Sequence, residues 1–259
     1  EEYYERKGDK WDHFMTVPFE DNANTGKLWL DDNGENLYLL DSRGRNTAAL
    51  KSFNLKTRKY KTIAESSKVD ISSMAVHPIK HTPQVVAENY LREKYHVLDN
   101  SVKEDIKFLT KLNEGDLIIN SRTLDDSKWL VAYNSDTSPV KYYIYDRSTK
   151  KAEFLFTNKK DLESYKMLLS PMHPVLIKAR DGLNLVSYLT IPKEKHRGNL
   201  KSSEPLPMIL YVHGGPWVRD EWGYDPTHQW LSSRGYAVLS VNYRGSTGFG
   251  KDFTNAGNL

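Results

Sequence analysis

The segment His213-Gly214-Gly215-Pro216-Trp217 has the residue types and spacing to stabilise a developing negative charge. Adjacent glycines let a turn take positive φ and approach a ligand with no side chain in between. Pro216 carries no N–H, so a backbone donor in this turn comes from Gly214 or Gly215. A backbone N–H aimed beforehand at a forming oxyanion costs no reorganisation, and losing one such donor typically costs about 3 kcal/mol of transition-state stabilisation. The chemistry implied is acyl transfer. The alternative is a tight strand-to-loop turn with no catalytic role.

Three other segments invite a chemical reading. Gly245-Ser246-Thr247-Gly248-Phe249-Gly250-Lys251 has the glycine and lysine spacing of a phosphate-binding loop. Asp252 stands where a hydroxyl would ligate magnesium, so nucleotide binding is not expected. His77 and His81 lie four apart, but Pro78 opposes the helix that would put both on one face, so no metal site is expected. The acidic pairs Glu20-Asp21 and Asp31-Asp32 read as solvated turns.

The chain has 259 residues and a formal net charge of +3, with both signs dispersed. That argues against a nucleic-acid binder, which needs basic clusters. Mean hydropathy is −0.67, and no apolar run approaches the roughly 18 residues of a membrane helix. Cysteine is absent, which removes disulfides, thiolate metal sites and a thiol nucleophile. The compartment stays open between cytoplasm, periplasm and exterior, with the cytoplasm as the default. No cofactor is implied, and homo-oligomers are compatible with the composition.

Stepping out from the glycine turn, the elements around it can be read in order. Met208 to Val212 is a near-continuous apolar run, the mark of a strand buried on both faces. Thr227 to Arg234 reads as a helix stopped by Gly235, and Ala237 to Val241 as a second buried strand. Strand, helix, strand at this spacing is a βαβ unit. Val175 to Ala179 and Leu185 to Ile191 flank Arg180-Asp181-Gly182 as a hairpin. Residues 158–174, with Pro171 and Pro174, read as a linker.

The first part of the chain repeats. Strands at 37–40, 48–55 and 60–63 return as strands at 129–133, 141–145 and 152–156, an offset of about 91 residues, with a weaker copy at 84–99. The unit of about 45 residues fits a propeller blade, with an all-β sandwich as the alternative. The tyrosines of Tyr142-Tyr143-Ile144-Tyr145 fit a strand with alternating faces. Ser101 and Glu104 fit a capping box opening a helix over 101–113, with Ile106, Leu109 and Leu112 as its apolar stripe. About three blades cannot close a ring, so both ends of the chain read as cuts in a longer protein.

His213 to Asp220 resembles the oxyanion-loop signature of the prolyl oligopeptidase family of serine peptidases, in its acylaminoacyl-peptidase and dipeptidyl-peptidase-like branch. Val241 to Gly250 and Arg180-Asp181-Gly182 are similar to that family's following strand and loop and to the turn opening its hydrolase domain. The resemblance implies a partial β-propeller over 1–157 and the N-terminal part of an α/β-hydrolase domain over 175–259. It implies that the Gly215 N–H lines an oxyanion hole, with His213 and Gly214 supporting that loop. Trp217, Arg219 and Asp220 are then expected at the domain interface near substrate, with an Arg219–Asp220 ion pair as the alternative. Arg244 is expected to brace the loop. Short peptides are the implied substrates.

One departure matters. A Gly-x-Ser-x-Gly nucleophile elbow, followed by Asp and His, is the expected source of the triad in this fold, and no such motif occurs in the 259 residues. The expectation is a piece of a serine peptidase that is inactive alone. A non-catalytic propeller binding module and a carboxylesterase of the same hydrolase fold are the alternatives.

Overall fold

The computed structural model describes residues 1–258, and every side chain among them except that of Lys27. Most of the chain is strand, arranged in five separate sheets, none of them closed into a ring. A hairpin of β1 (Glu2–Lys7) and β2 (Lys10–Thr16) comes first. Next is an antiparallel meander of β3 (Gly26–Leu30), β4 (Asn36–Asp41), β5 (Ala49–Asn54) and β6 (Lys59–Ala64). A three-stranded meander follows, with β7 (Ile71–Val76), β8 (Pro83–Asn89) and β9 (Glu93–Val97). After helix α1 (Lys103–Leu112) comes a four-stranded meander of β10 (Asp116–Arg122), β11 (Lys128–Asn134), β12 (Lys141–Asp146) and β13 (Lys151–Thr157).

Side-chain alternation along the central strands explains why these sheets stack. In β4, Leu37 and Leu39 pack with Met15, Val17 and Phe53 toward the β1–β2 hairpin. Tyr38 and Leu40 point the other way and pack with Leu50, Ile71 and Val86 toward the next sheet. In β8, Val86 joins that cluster while its neighbour Val85 packs with Leu117, Trp129, Val131 and Tyr145 of the sheet beyond. Adjacent strand residues face opposite sides, so strands buried on both faces glue four sheets in series, the β1–β2 hairpin included. Each fully buried aliphatic here contributes about 1.5–3 kcal/mol.

The helix is held differently from the capping-box expectation. Asp99 accepts from the Ser101 N–H (2.8 Å) to cap a 3-10 turn over Asn100–Val102, and Val102 enters α1 with no side-chain cap. Ser101 Oγ instead accepts from Gln84 Nε2 (3.2 Å), and Glu104 pairs with Lys107. Ser101 lies within that 3-10 turn, one residue before the N-cap Val102, and is not placed to cap α1. The apolar stripe does pack as expected, with Ile106 and Leu109 in the core beside Trp129 and Leu112 at its margin.

The last sheet has the order β14–β15–β17–β16, from β14 (Met172–Lys178), β15 (Asn184–Thr190), β16 (Met208–Leu210) and β17 (Ala237–Val241). β14 opens before the expected hairpin start and contains Pro174, opposite Tyr188. β14 is an edge strand, where a missing N–H breaks no ladder. Residues Lys160–Leu168, within the segment read as linker, form a 3-10 helix. The apolar run 208–212 departs from its reading: only Met208–Leu210 is strand, paired in parallel with β17 on one side. Met208 and Leu210, on one face of the strand, are 57% and 62% exposed, so among the described residues that face is largely uncovered. Helix α2 (Pro226–Ser232) is capped by Asp225, which accepts from the N–H groups of Thr227 (2.7 Å) and His228 (2.9 Å).

His228 links α2 to the sheet, with Nδ1 2.9 Å from Thr190 Oγ1 and Nε2 2.9 Å from Ser240 Oγ. Burial pushes its imidazole below the ordinary value of 6.5. The unfolded chain therefore binds this proton more readily, so the stabilisation is present above pH 6.5 and is lost as pH falls below it. Urea midpoints at pH 7.5 and 5.5 are expected to fall with acidification, and His228→Gln is expected to reduce that fall. An equal fall in the variant would assign the acid sensitivity elsewhere.

Candidate functional site

The strands β16 and β17 run parallel, and the loops leaving their carboxyl ends, 211–224 and 242–250, meet each other. Carboxyl ends of parallel strands are where open α/β sheets place ligands. The two loops are zipped by several hydrogen bonds. Thr247 N–H donates to Val218 O (3.1 Å). Asn242, fully buried, accepts from Asp220 N–H (2.8 Å) and donates to Asp220 O (3.1 Å). Tyr243 OH donates to His213 O (2.8 Å), and its ring stacks on the His213 ring at 4.7 Å. Gly248, at φ +89°, lets the Arg219 side chain lie against the backbone: a Cβ there would stand 2.8 Å from Arg219 Nη1.

Gly214 and Gly215 are both exposed, and among the described residues neither N–H donates a hydrogen bond. Gly215 has φ +132°, and a Cβ there would lie 2.9 Å from the Trp217 nitrogen. Behind this turn His213 is half-buried, with Nδ1 2.9 Å from Gly214 O and Nε2 2.9 Å from Ser246 Oγ. The Ser246–His213 contact has the look of a nucleophile and base. Ser246 is completely buried, however, and the other ring nitrogen meets a carbonyl rather than a carboxylate. No substrate atom can reach that hydroxyl, so it is no nucleophile.

The neighbouring residues divide. Trp217 is 61% exposed beside the glycine turn. Arg219 crosses to the β8–β9 connection, where Nη1 donates to Asn89 O (2.9 Å) and Nη2 to Tyr90 O (3.4 Å), and its guanidinium lies 4.3 Å from the Phe249 ring centre. Its ion-pair contact is Glu221 at 3.7 Å, not Asp220. Burial raises the Asp220 carboxyl above its usual range, and the nearby His213 and Arg219 charges only partly oppose that. Arg244 pairs with Asp181 of the hairpin turn, tying the 242–250 loop to it.

A cavity of about 370 Å³ lies where Arg219, Glu221 and Gly248 face Asn24, Asp70 and Ser72 of the strand region. Burial raises Asp70, against the bonds it accepts from Ala48 N–H (2.6 Å) and Asn24 Nδ2 (2.7 Å). Sequence reasoning missed Asp70, Asn242 and the Ser246 contact. Their partners lie 22 to 46 positions away, so no local pattern announces them.

The other segments find structural roles. Lys251 opens helix α3 (Lys251–Asn255) and pairs with Asp21 (2.7 Å), and Asp252 N–H donates to Asn46 Oδ1 (2.9 Å). Both groups a phosphate would need are thus engaged. Asp21 and Asp31 are buried, not solvated: Asp21 also accepts from Ser42 (2.7 Å), and Asp31 accepts from the N–H groups of Glu35 and Asn36. His77 Nδ1 accepts from the N–H groups of Ile79 and Lys80. Among the described residues no group of three or more His, Asp or Glu could hold a metal ion. No helix among them is long and apolar enough to cross a membrane.

Known proteins resemble this chain over nearly all its length. Dipeptidyl aminopeptidase BIII of Pseudoxanthomonas mexicana is 45% identical over 249 residues, covering 96% of this chain and 36% of that protein. Dipeptidyl peptidase family member 6 of Caenorhabditis elegans is 33% identical, with the same two coverages of 96% and 36%. A solved structure from a study of two prolyl endopeptidases superposes on 100% of this chain and 36% of its own, with TM-score 0.69 at 17% identity. The Pyrococcus horikoshii acylaminoacyl peptidase covers 98% of this chain and 37% of its own at TM-score 0.58 and 17% identity. These last two likenesses speak for the fold. The chain thus spans a little over a third of the length of these relatives. A model described as the prolyl oligopeptidase family matches residues 222–259, the stretch that holds α2, β17 and the glycine-rich loop behind the turn. With that match over 222–259, and with relatives aligned along almost the whole sequence, this chain is similar to members of the prolyl oligopeptidase family.

Proposed function

We propose that this chain is part of a serine peptidase that hydrolyses short peptides by acyl transfer, and that it contributes one oxyanion donor, the Gly215 N–H. The observation that carries the reading is the exposed Gly214–Gly215 turn, whose N–H groups are unbonded while its back is held by His213 and Tyr243. In the reaction, the scissile carbonyl oxygen lies against the Gly215 N–H. As a serine hydroxyl adds to the carbonyl carbon, that oxygen gains negative charge and the hydrogen bond strengthens. Pro216 leaves the turn no competing donor after Gly215. The reading includes a partial propeller of about three blades over 1–157, a linker over 158–174, and the N-terminal part of an α/β-hydrolase domain over 175–259. The stacked meanders and the parallel β16–β17 pair support that division.

No Gly-x-Ser-x-Gly occurs in the 259 residues. Triad members act as a unit, and without them only residual rate enhancement remains. The purified chain is therefore expected to turn over no peptide anilide; measurable turnover would contradict this. The reading itself is tested by fluorophosphonate labelling of the endogenous protein, captured with an antibody to this chain. A labelled band well above 29.9 kDa is expected. An unlabelled band at 29.9 kDa would replace the peptidase with a binding module.

A further inference from the structure

We infer that Ser246 is a positioning residue that sets the direction of the Gly215 N–H by acting through His213; the inference rests on the oxyanion role proposed for Gly215. The chain of contacts is short. The Gly214 carbonyl and the Gly215 N–H belong to one peptide unit, which is planar and trans, so the two groups point in opposite directions. His213 Nδ1 holds the Gly214 oxygen at 2.9 Å. Whatever fixes that oxygen against the imidazole turns the Gly215 N–H away from it, toward the open side of the turn.

The tautomer follows from the same contacts. A carbonyl oxygen only accepts, so Nδ1 carries the proton. In the neutral ring Nε2 is then a bare acceptor, and Ser246 Oγ lies 2.9 Å from it. The serine hydroxyl donates there and selects the tautomer that can reach Gly214. Ser246 is suited to this. It is completely buried, its N–H donates to Tyr243 O (2.9 Å), and its carbonyl accepts from Thr254 Oγ1 (3.4 Å). The Tyr243 ring, stacked 4.7 Å from the imidazole at an interplanar angle of 19°, keeps the ring from turning out of line. Without the Ser246 donor, the Gly214 carbonyl alone favours Nδ1–H, and the Nε2–H tautomer becomes accessible. The 214–215 peptide can then rotate and aim its carbonyl, not its N–H, at a substrate.

Two readouts test this. In the ¹⁵N-labelled 259-residue chain at mildly alkaline pH, imidazole nitrogen spectra are expected to show His213 protonated at Nδ1 and bare at Nε2. Ser246→Ala is expected to give mixed tautomers and to shift the Gly215 amide resonance; Ser246→Cys, a weaker donor of similar size, is expected to fall between. His213→Asn keeps a side-chain N–H for the Gly214 oxygen, and in that background Ser246→Ala is expected to leave the Gly215 amide unmoved. A wild-type ring protonated at Nε2 overturns the inference. So does a folded Ser246→Ala or Ser246→Cys protein whose tautomer and Gly215 amide are unchanged. In the longer protein, Ser246→Ala is expected to lower kcat by about tenfold or more with KM within about twofold, the signature of an interaction made in the transition state. A longer protein with no peptidase activity would refute the proposed function, while the spectra would still decide the role of Ser246.

Discussion

Replacing Gly215 with alanine is expected to lower kcat of the longer enzyme by about 10² to 10³, the cost of losing one oxyanion donor. The reason is steric. At φ +132° a side chain is already strained, and the new Cβ would sit 2.9 Å from the Trp217 nitrogen and 3.2 Å from Val218 Cγ2. Backbone nitrogen cannot step aside without moving the turn, so the N–H leaves its position. KM is expected to change little, because the donor matters most once charge has developed. Gly214→Ala is the control. A Cβ at Gly214 meets nothing within 4 Å, so this variant is expected to keep near wild-type kcat. Measuring kcat and KM for a peptide anilide on both variants decides the matter. Equal rates for Gly215→Ala and wild type would remove Gly215 from the oxyanion hole. The 259-residue chain carrying Gly215→Ala is expected to lose only about 1–2 kcal/mol in urea unfolding, since the turn is exposed and strain of this kind is local.

Truncating Trp222 to alanine is expected to have the largest effect on stability. Trp222 joins the β14–β17 sheet to the rest of the chain. Its ring is buried with Val69, Met172, Val186, Tyr188, Phe249 and Phe253. Its indole N–H donates to Met172 O (2.8 Å), the Arg92 guanidinium lies 3.6 Å from the ring centre, and its own carbonyl accepts from Asn134 Nδ2 (3.1 Å). Removing so large a side chain from a packed core costs about 3–5 kcal/mol. That is a large part of the 5–15 kcal/mol by which folded proteins are typically stable. Urea unfolding of Trp222→Ala is expected to split into two transitions, as the last sheet loses its anchor while the stacked meanders remain. Trp222→Phe keeps a ring under Arg92 but loses the indole N–H and part of the buried ring volume, and is expected to cost less than the alanine variant, about 1–3 kcal/mol. A single transition with an unchanged midpoint in Trp222→Ala would show that the sheets are coupled elsewhere.

The repeat was legible because strands buried on both faces need apolar side chains at both parities. The starts of β4, β5 and β6 recur 92 residues later as those of β11, β12 and β13. Two of the intervening strands escaped. β7 slips between Ile71 and Met74, and β10 between Ile119 and Ser121, but β5–β6 and β12–β13 carry shifts too and were read, so register alone does not separate them. The β1–β2 hairpin also escaped, because β2 is mostly exposed and reads as polar.

The run Met208 to Val212 was misread in the opposite direction. Apolar composition records what a strand is suited to pack against, and here its outer edge has no described neighbour. The acidic pairs show the same limit. Asp21 is buried because Lys251 and Ser42 reach it from 230 and 21 positions away.

For the glycine turn, the sequence by itself determined which backbone groups can donate, because Gly-Gly-Pro allows close approach at two residues and removes the donor at the third. It also determined the βαβ unit that carries the turn, through the periodicity of short apolar runs. What only the tertiary structure decided is which way those donors point. Their direction depends on the hydroxyl of Ser246, the ring of Tyr243 and the amide of Asn242, brought to the turn by the loop beyond the next strand. Hydrogen bonds between residues 22 to 33 positions apart leave no periodic trace in a chain. They exist only once β16 and β17 lie side by side and bring their loops together.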